Sequence, residues 1–159
     1  MTKIAQGDIF QAASRVQLVI VFGHLGFNEM RQCWEAFKRN KGQLSQIQDP
    51  FMDLAGRAVE WVPGKWLWFV PEEQNHGMTE TQLANALDGA LAWASQNSIG
   101  SVATNGIANT DHGNNTADNR RSDEQRAAWL EDYARKAEQR YRMAIQLISM
   151  NDVFVRNRE

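Results

Sequence analysis

The sequence predicts a three-layer α/β/α sandwich with a mixed central sheet, formed by residues 1–159 as a single domain. Three observations predict it. Val16-Gln17-Leu18-Val19-Ile20-Val21-Phe22 is β-branched and nearly continuously apolar, the pattern of a strand covered on both faces. Strand-like and helix-like segments alternate in the order β, β, α, β, β, α, β, α, β, which suits a sheet with helices on its faces. Pro63-Gly64 between two apolar runs adds a hairpin, and so an antiparallel pair.

The elements follow in order. A short apolar pattern at the start is interrupted by Gly7-Asp8-Ile9. The strand Val16 to Phe22 stops at Gly23-His24-Leu25-Gly26, where two glycines within four residues mark a bend or a close approach. Asn28 is placed to cap a helix, with Glu29 in its first turn. Met30, Trp34 and Phe37 recur at helical spacing up to a stop at Asn40-Lys41-Gly42. Gln43 to Phe51 reads as a polar surface connection ending in Asp49-Pro50. Arg57 to Val62 and Trp66 to Val70 are the two hairpin strands, followed by a polar loop, Pro71 to Gly77.

Thr79 with Gln82 forms a capping box, and Leu83, Ala86, Leu87, Ala90, Leu91 and Ala94 make one apolar stripe, closed by Gly100. Ser101 to Thr104 is a short strand. Asn105 to Arg121 is rich in Asn, Gly, Asp and Thr, and a loop of that length in a compact domain is usually functional or disordered. Ser122 with Gln125 reads as a second capping box, ahead of a face made by Leu130, Tyr133, Ala134, Ala137 and Tyr141. Ile145 to Met150 fits either a continued helix or a last strand. A helix running from Asp123 to Ser149 would be about twice the usual length, so a strand is expected.

Composition narrows the function classes. Net charge is −2, which offers nucleic acid no basic footprint. The single cysteine, Cys33, excludes an internal disulfide framework. P-loop, zinc-ligand and G-x-G-x-x-G spacings are all missing, so neither a metal nor a cofactor is expected. The apolar run Leu18 to Phe22 is far shorter than the ~20 residues that span a bilayer. Met1 to Phe10 has no secretory apolar segment, and the expected compartment is the cytoplasm.

In open α/β sheets, ligands sit at the carboxyl ends of strands. Two loops have that character, Gly23 to Asn28 and Asn105 to Asn119. Glycine amides ahead of a helix N-terminus make an anion site, although a plain strand-to-helix turn looks the same. His24 there could bond a ligand, or be an incidental loop histidine. In Thr104-Asn105-Gly106-Ile107-Ala108-Asn109-Thr110-Asp111-His112-Gly113, small residues admit a phosphate, and Asp111-His112 offers a base and a proton carrier. An Asn-rich flexible loop is the plainer reading. Asp8 is placed to accept from an exocyclic amine, or merely to cap a turn. Glu72-Glu73 with His76 could do acid–base work, though such groups are more often a solvated loop. Arg120, Arg121 and Arg126 read first as solvated surface, and the six tryptophans as core or strand-face residues, with one or two free to rim a pocket.

Taken in order, these pieces resemble the macrodomain family. The resemblance runs through Gly7-Asp8-Ile9, the strand Val16 to Phe22, the Gly-containing loop into a helix, the hairpin ending at Val70, the helix Thr79 to Ser98, and Ser101-Val102-Ala103-Thr104 with its glycine-bearing loop. It covers roughly Lys3 to Met150, and the layout is most similar to the compact branch that removes ADP-ribose from glutamate. The resemblance implies binding of ADP-ribose, with Asp8 on the adenine amine and the Ile9 amide beside it. It also implies that Gly23 to Phe27 (hence Gly23, His24 and Gly26) and Asn105 to Gly113 (hence Asn105, Gly106, Ile107, Ala108 and Asn109) cradle the diphosphate and distal ribose. An ADP-ribosylated protein is the second partner it implies.

The chain departs from the family pattern in places. Ala108 stands where a second loop glycine is usual, and the first loop is short. Thr110 to Ser122 is a long insertion. Val70-Pro71-Glu72-Glu73-Gln74 lacks the lysine with which the deglutamylating branch forms its covalent intermediate.

Two function classes follow. One is an ADP-ribose-binding protein that, if an enzyme, hydrolyses ADP-ribosyl adducts or ADP-ribose phosphate, with Asp111 or His112 positioning water. The other is a non-catalytic protein-interaction domain that kept the fold without the nucleotide.

Overall fold

The computed structural model describes residues 3–26, 28–72, 78–106 and 117–150, with side chains described from residue 124 onward in the last segment. It is a mixed α/β domain, a six-stranded sheet between two helical layers. The strands are β1 (Lys3–Gln6), β2 (Leu18–Gly23), β3 (Ala58–Val62), β4 (Lys65–Pro71), β5 (Ser101–Thr104) and β6 (Ala144–Ser149). Their order across the sheet is β1-β6-β5-β2-β4-β3. All neighbours pair in parallel except β3, which runs antiparallel to β4 around the turn at Gly64, whose φ of 81° suits glycine.

Strand β2 sits at the centre and is buried along its whole length. Alternation divides its side chains between the two layers. Leu18, Ile20 and Phe22 face α3 (Glu80–Gln96) and α4 (Ala117–Tyr141), packing on Leu83, Leu87, Leu91, Leu130 and Ala134. Val19 and Val21 face α1 (Asn28–Lys38), α2 (Pro50–Asp53) and the 3₁₀ turn Ile9–Ser14, among Phe10, Met30, Trp34, Phe51 and Phe69. Helix α3 starts with the expected reciprocal capping box: Gln82 N–H donates to Thr79 Oγ1 at 3.2 Å, and Thr79 N–H to Gln82 Oε1 at 2.9 Å. The Tyr133 hydroxyl donates to Asp88, tying α4 to α3.

Four expectations need correction. Gln43 to Phe51 is more than a surface connection: Leu44, Pro50 and Phe51 are buried, and Phe51 packs edge-on against Phe69 at 5.3 Å. Isolated apolar residues carry no periodicity, and only the opposing face of the sheet reveals their burial. Trp34 also needs this segment, since its indole N–H donates to Ile47 O at 3.1 Å. Helix α1 begins at Asn28 itself, so Asn28 lies within the helix. The last helix begins at Ala117, which makes Ser122 an interior position and absorbs residues 117–121 of the expected loop. Arg126 belongs to that helix and is half-buried, with its Nη1 atom wholly so. The expected last strand is present as β6.

Candidate functional site

Five strand ends line up along the carboxyl edge of the sheet, and most of the predicted residues that the structure describes lie there. At the end of β1, Asp8 caps the following 3₁₀ turn, its Oδ1 accepting from Phe10 N–H at 2.9 Å. Gly7 N–H donates to Ser149 O at 2.9 Å and so holds this turn against the end of β6. Asp8, Ile9, Met30, Cys33, Asn105 and Met150 surround one crevice. Its volume is about 10 Å³, room for about one water. The Cys33 thiol is pushed up to about 11, chiefly by burial and further by the Asp8 carboxylate to which it is hydrogen-bonded. At neutral pH it is a thiol, not a nucleophilic thiolate.

The β5 end is closed by Asn105, which is buried. Its Oδ1 accepts from Phe22 N–H at 2.7 Å and its Nδ2 donates to Phe22 O at 3.1 Å. Both ends of the amide are therefore engaged with β2. Gly106 follows where the chain passes under α4, and a Cβ there would lie 3.2 Å from Leu130 Cδ2. At the β2 end, Gly23 has φ 151° and faces Met30 and Phe51, where a Cβ would meet Met30 Cε at 3.2 Å. His24 Nδ1 accepts from Gly26 N–H at 2.9 Å, which closes the loop and requires that nitrogen to be unprotonated. Burial lowers the His24 pKa below its ordinary 6.5, against an opposing pull from Asp49.

Compared with known proteins, the chain matches no family model and no curated protein.

The structure thus brings Asp8, Ile9 and Asn105 to one crevice and sets Gly23, His24 and Gly26 farther along the same edge. Ile107, Ala108, Asn109, Asp111 and His112 lie outside the described residues, as do Glu73 and His76. Among the described residues no cluster of His, Cys, Asp and Glu is arranged to hold a metal. No helix among them is long and apolar enough to cross a membrane.

Glu72, expected as a possible acid–base group, and Arg126, expected as solvated surface, gain a more specific setting. Glu72 directly follows β4 and is only 6% exposed, with its N–H donating to Gly23 O at 2.9 Å. Burial pushes its carboxyl up to about 8, and the positive charge of Arg126 on α4 offsets only part of that. The Nη1 of Arg126 is itself buried and has no hydrogen-bond partner. A signal existed in the sequence, since Glu72 directly follows an apolar strand at the edge where ligands bind.

A far larger concavity lies elsewhere. An open groove of about 860 Å³ runs beside the free edge of β3, lined by Lys41, Leu44, Leu54, Arg57, Val59 and Trp61 among others. Glu60 there accepts from Gly64 N–H at 3.1 Å.

Proposed function

We propose that this protein binds ADP-ribose or a closely related adenosine diphosphate ligand along the carboxyl edge of its sheet, and that it does so in the cytoplasm. The observation that carries the reading is the line of groups along that edge. Asp8 stands at the β1 end, and the glycine-bearing turn Gly23 to Gly26 leads into the N-terminus of α1. A carboxylate is a specific acceptor for an exocyclic amine, and amides at a helix N-terminus suit a diphosphate. In this reading Asp8 takes the adenine amine with the Ile9 amide beside it, and the turn takes the diphosphate. Adenine needs far more room than about 10 Å³. The Met30 and Met150 side chains, unbranched and adaptable, are the ones that swing aside. Cleavage of an ADP-ribosyl bond or of ADP-ribose phosphate would then rest on Asp111 or His112 positioning water.

Calorimetric titration with ADP-ribose, with AMP and NAD as controls, tests the reading. Micromolar binding selective for ADP-ribose is the expected result. Asp8→Ala should weaken it by about tenfold or more, as loss of a charge-assisted hydrogen bond does. Absence of binding by a folded protein overturns the proposal.

One observation favours a second reading, a protein-interaction domain without nucleotide. The crevice at Asp8 is nearly filled, whereas the groove beside β3 is wide and borders a strand edge that is unpaired among the described residues. Strand edges of this kind can receive an extended peptide. A failed ADP-ribose titration together with peptide binding that perturbs Trp61 would select this alternative.

A further inference from the structure

We infer that the groove beside β3 receives an extended acidic segment of a partner protein, which adds one more strand to the sheet and sets carboxylates against Lys41 and Arg57. Such a partner deepens the protein-interaction reading, on which it rests. Strand β3 ends the sheet on its side, and its outer edge is unpaired among the described residues. Every residue from Arg57 to Val62 lines the groove. Side chains of a strand alternate between faces, so a groove lined by all of them follows the strand's edge. The outward N–H and C=O groups of such an edge are a template for another strand.

Charge selects the partner. Val59 and Trp61 point into the layer of α1. Glu60, paired across from Trp66, points to the other face, and its Oε2 accepts from Gly64 N–H. The two cations of the groove stand on the α1 side. Lys41 Nζ lies 4.6 Å from the ring centroid of Phe37 and 5.8 Å from that of Trp61, which holds it near the C-terminal half of β3. Arg57 stands just ahead of β3, its Nη2 donating to Asp53 O on α2 at 3.3 Å. Neither cation forms an ion pair among the described residues. A second copy docked by the same edge would bring these cations to both sides of the contact, which like-charge repulsion disfavours. Carboxylates neutralise them.

Spacing defines the segment further. From Arg57 to Trp61 the chain advances four residues, roughly 13 Å at about 3.3 Å each. On an added strand, residues two and four apart share a face. The fitting pattern is therefore acidic, any, apolar, any, acidic, with the apolar residue over Leu44 and Leu54 in the groove wall. This pattern reads the same in both directions, so it suits parallel and antiparallel addition alike.

The test uses the full chain and a capped heptapeptide with glutamate at its second and sixth positions, valine at its fourth and threonine elsewhere. Two control peptides carry glutamine or lysine in place of glutamate. Titration followed by NMR gives affinity, and amide exchange along Ala58 to Val62 reports strand addition. The acidic peptide should slow exchange at one or more of these amides. The glutamine peptide should bind more weakly, and the lysine peptide most weakly. Lys41→Gln and Arg57→Gln should each weaken the acidic peptide about twofold to fivefold, the range of an exposed ion pair, and leave the glutamine peptide unchanged. Added salt should weaken the acidic peptide alone. Thermal transitions serve as fold controls.

Equal binding of the glutamate and glutamine peptides overturns the acidic partner and leaves the peptide reading standing. Binding that slows no amide of β3 overturns strand addition. If none of the three peptides binds the folded protein, both readings of the groove are wrong. A dimer seen by ultracentrifugation, with the same amides slowed, would assign the edge to a second copy instead.

Discussion

The side-chain amide of Asn105 stands in for a peptide group beside Phe22. The β5–β2 ladder ends at the pair Ile20 and Thr104, and the amide then meets both Phe22 N–H, at 2.7 Å, and Phe22 O, at 3.1 Å. A residue expected to contact a ligand thus extends the sheet by one more step, in a buried position.

Asn105→Ala should therefore destabilise the protein. It strands two buried backbone groups, at about 1–3 kcal/mol each. The urea midpoint should drop with little change in slope. Asn105→Asp should cost more at neutral pH than at pH 4, because its ionised form sets a buried negative charge against Phe22 O.

Asp8 has two tasks that two variants separate. Asp8→Ala should lose the cap on the 3₁₀ turn, about 1 kcal/mol, while Asp8→Asn retains an acceptor for Phe10 N–H. Both variants remove the negative charge beside Cys33. The Cys33 thiol, held at about 11 in part by that charge, should then react faster with a disulfide reagent at pH 8. An unchanged reaction rate in Asp8→Asn would show that the Asp8 charge does not govern the thiol.

Glu72 should give stability an inverse dependence on pH. Its folded-state value, about 8, lies above its ordinary 4.5, so between these values the folded state binds the extra proton. Stability should fall as pH rises through that window, by at most roughly 1.4 kcal/mol per unit, and level off above 8. Glu72→Gln should remove this slope. Denaturant midpoints at pH 5, 7 and 9 check it.

Gly106→Ala should destabilise by about 1–3 kcal/mol, because the new methyl presses on the fully buried Leu130. The cost should shrink in a Leu130→Val background. A double-mutant cycle measures this coupling, and additive costs would show that Leu130 is not what the methyl meets.

Much of the architecture was legible because its causes are local. Thr79 and Gln82 are three residues apart and satisfy each other without help from the rest of the chain. The β-branched run ending at Phe22 announces a central strand wherever it sits. Pro63-Gly64 makes its own turn. The burial of Leu44 and Phe51 was not legible, since two apolar residues in a polar stretch have no period to betray them. Ser122 and Gln125 show the converse, a capping spacing that α4 runs straight through.

Of the candidate site, Asp8 and the Gly23 to Gly26 turn were found from sequence because each lies where a strand gives way to a turn. Glu72 was singled out with Glu73 and His76 as a strand-end carboxylate, but its burial was not legible, and Arg126 was one of several surface-like arginines.

The amino-acid sequence alone determined the order of strands and helices and the edge at which chemistry is to be sought, since periodicity, caps and turns act over a few residues. Only the tertiary structure decided that Asn105 serves Phe22, that Cys33 lies against Asp8, and that Glu72 is buried where β4 ends. Hydrogen bonding and desolvation depend on which distant segments the sheet brings together, and no local pattern encodes that.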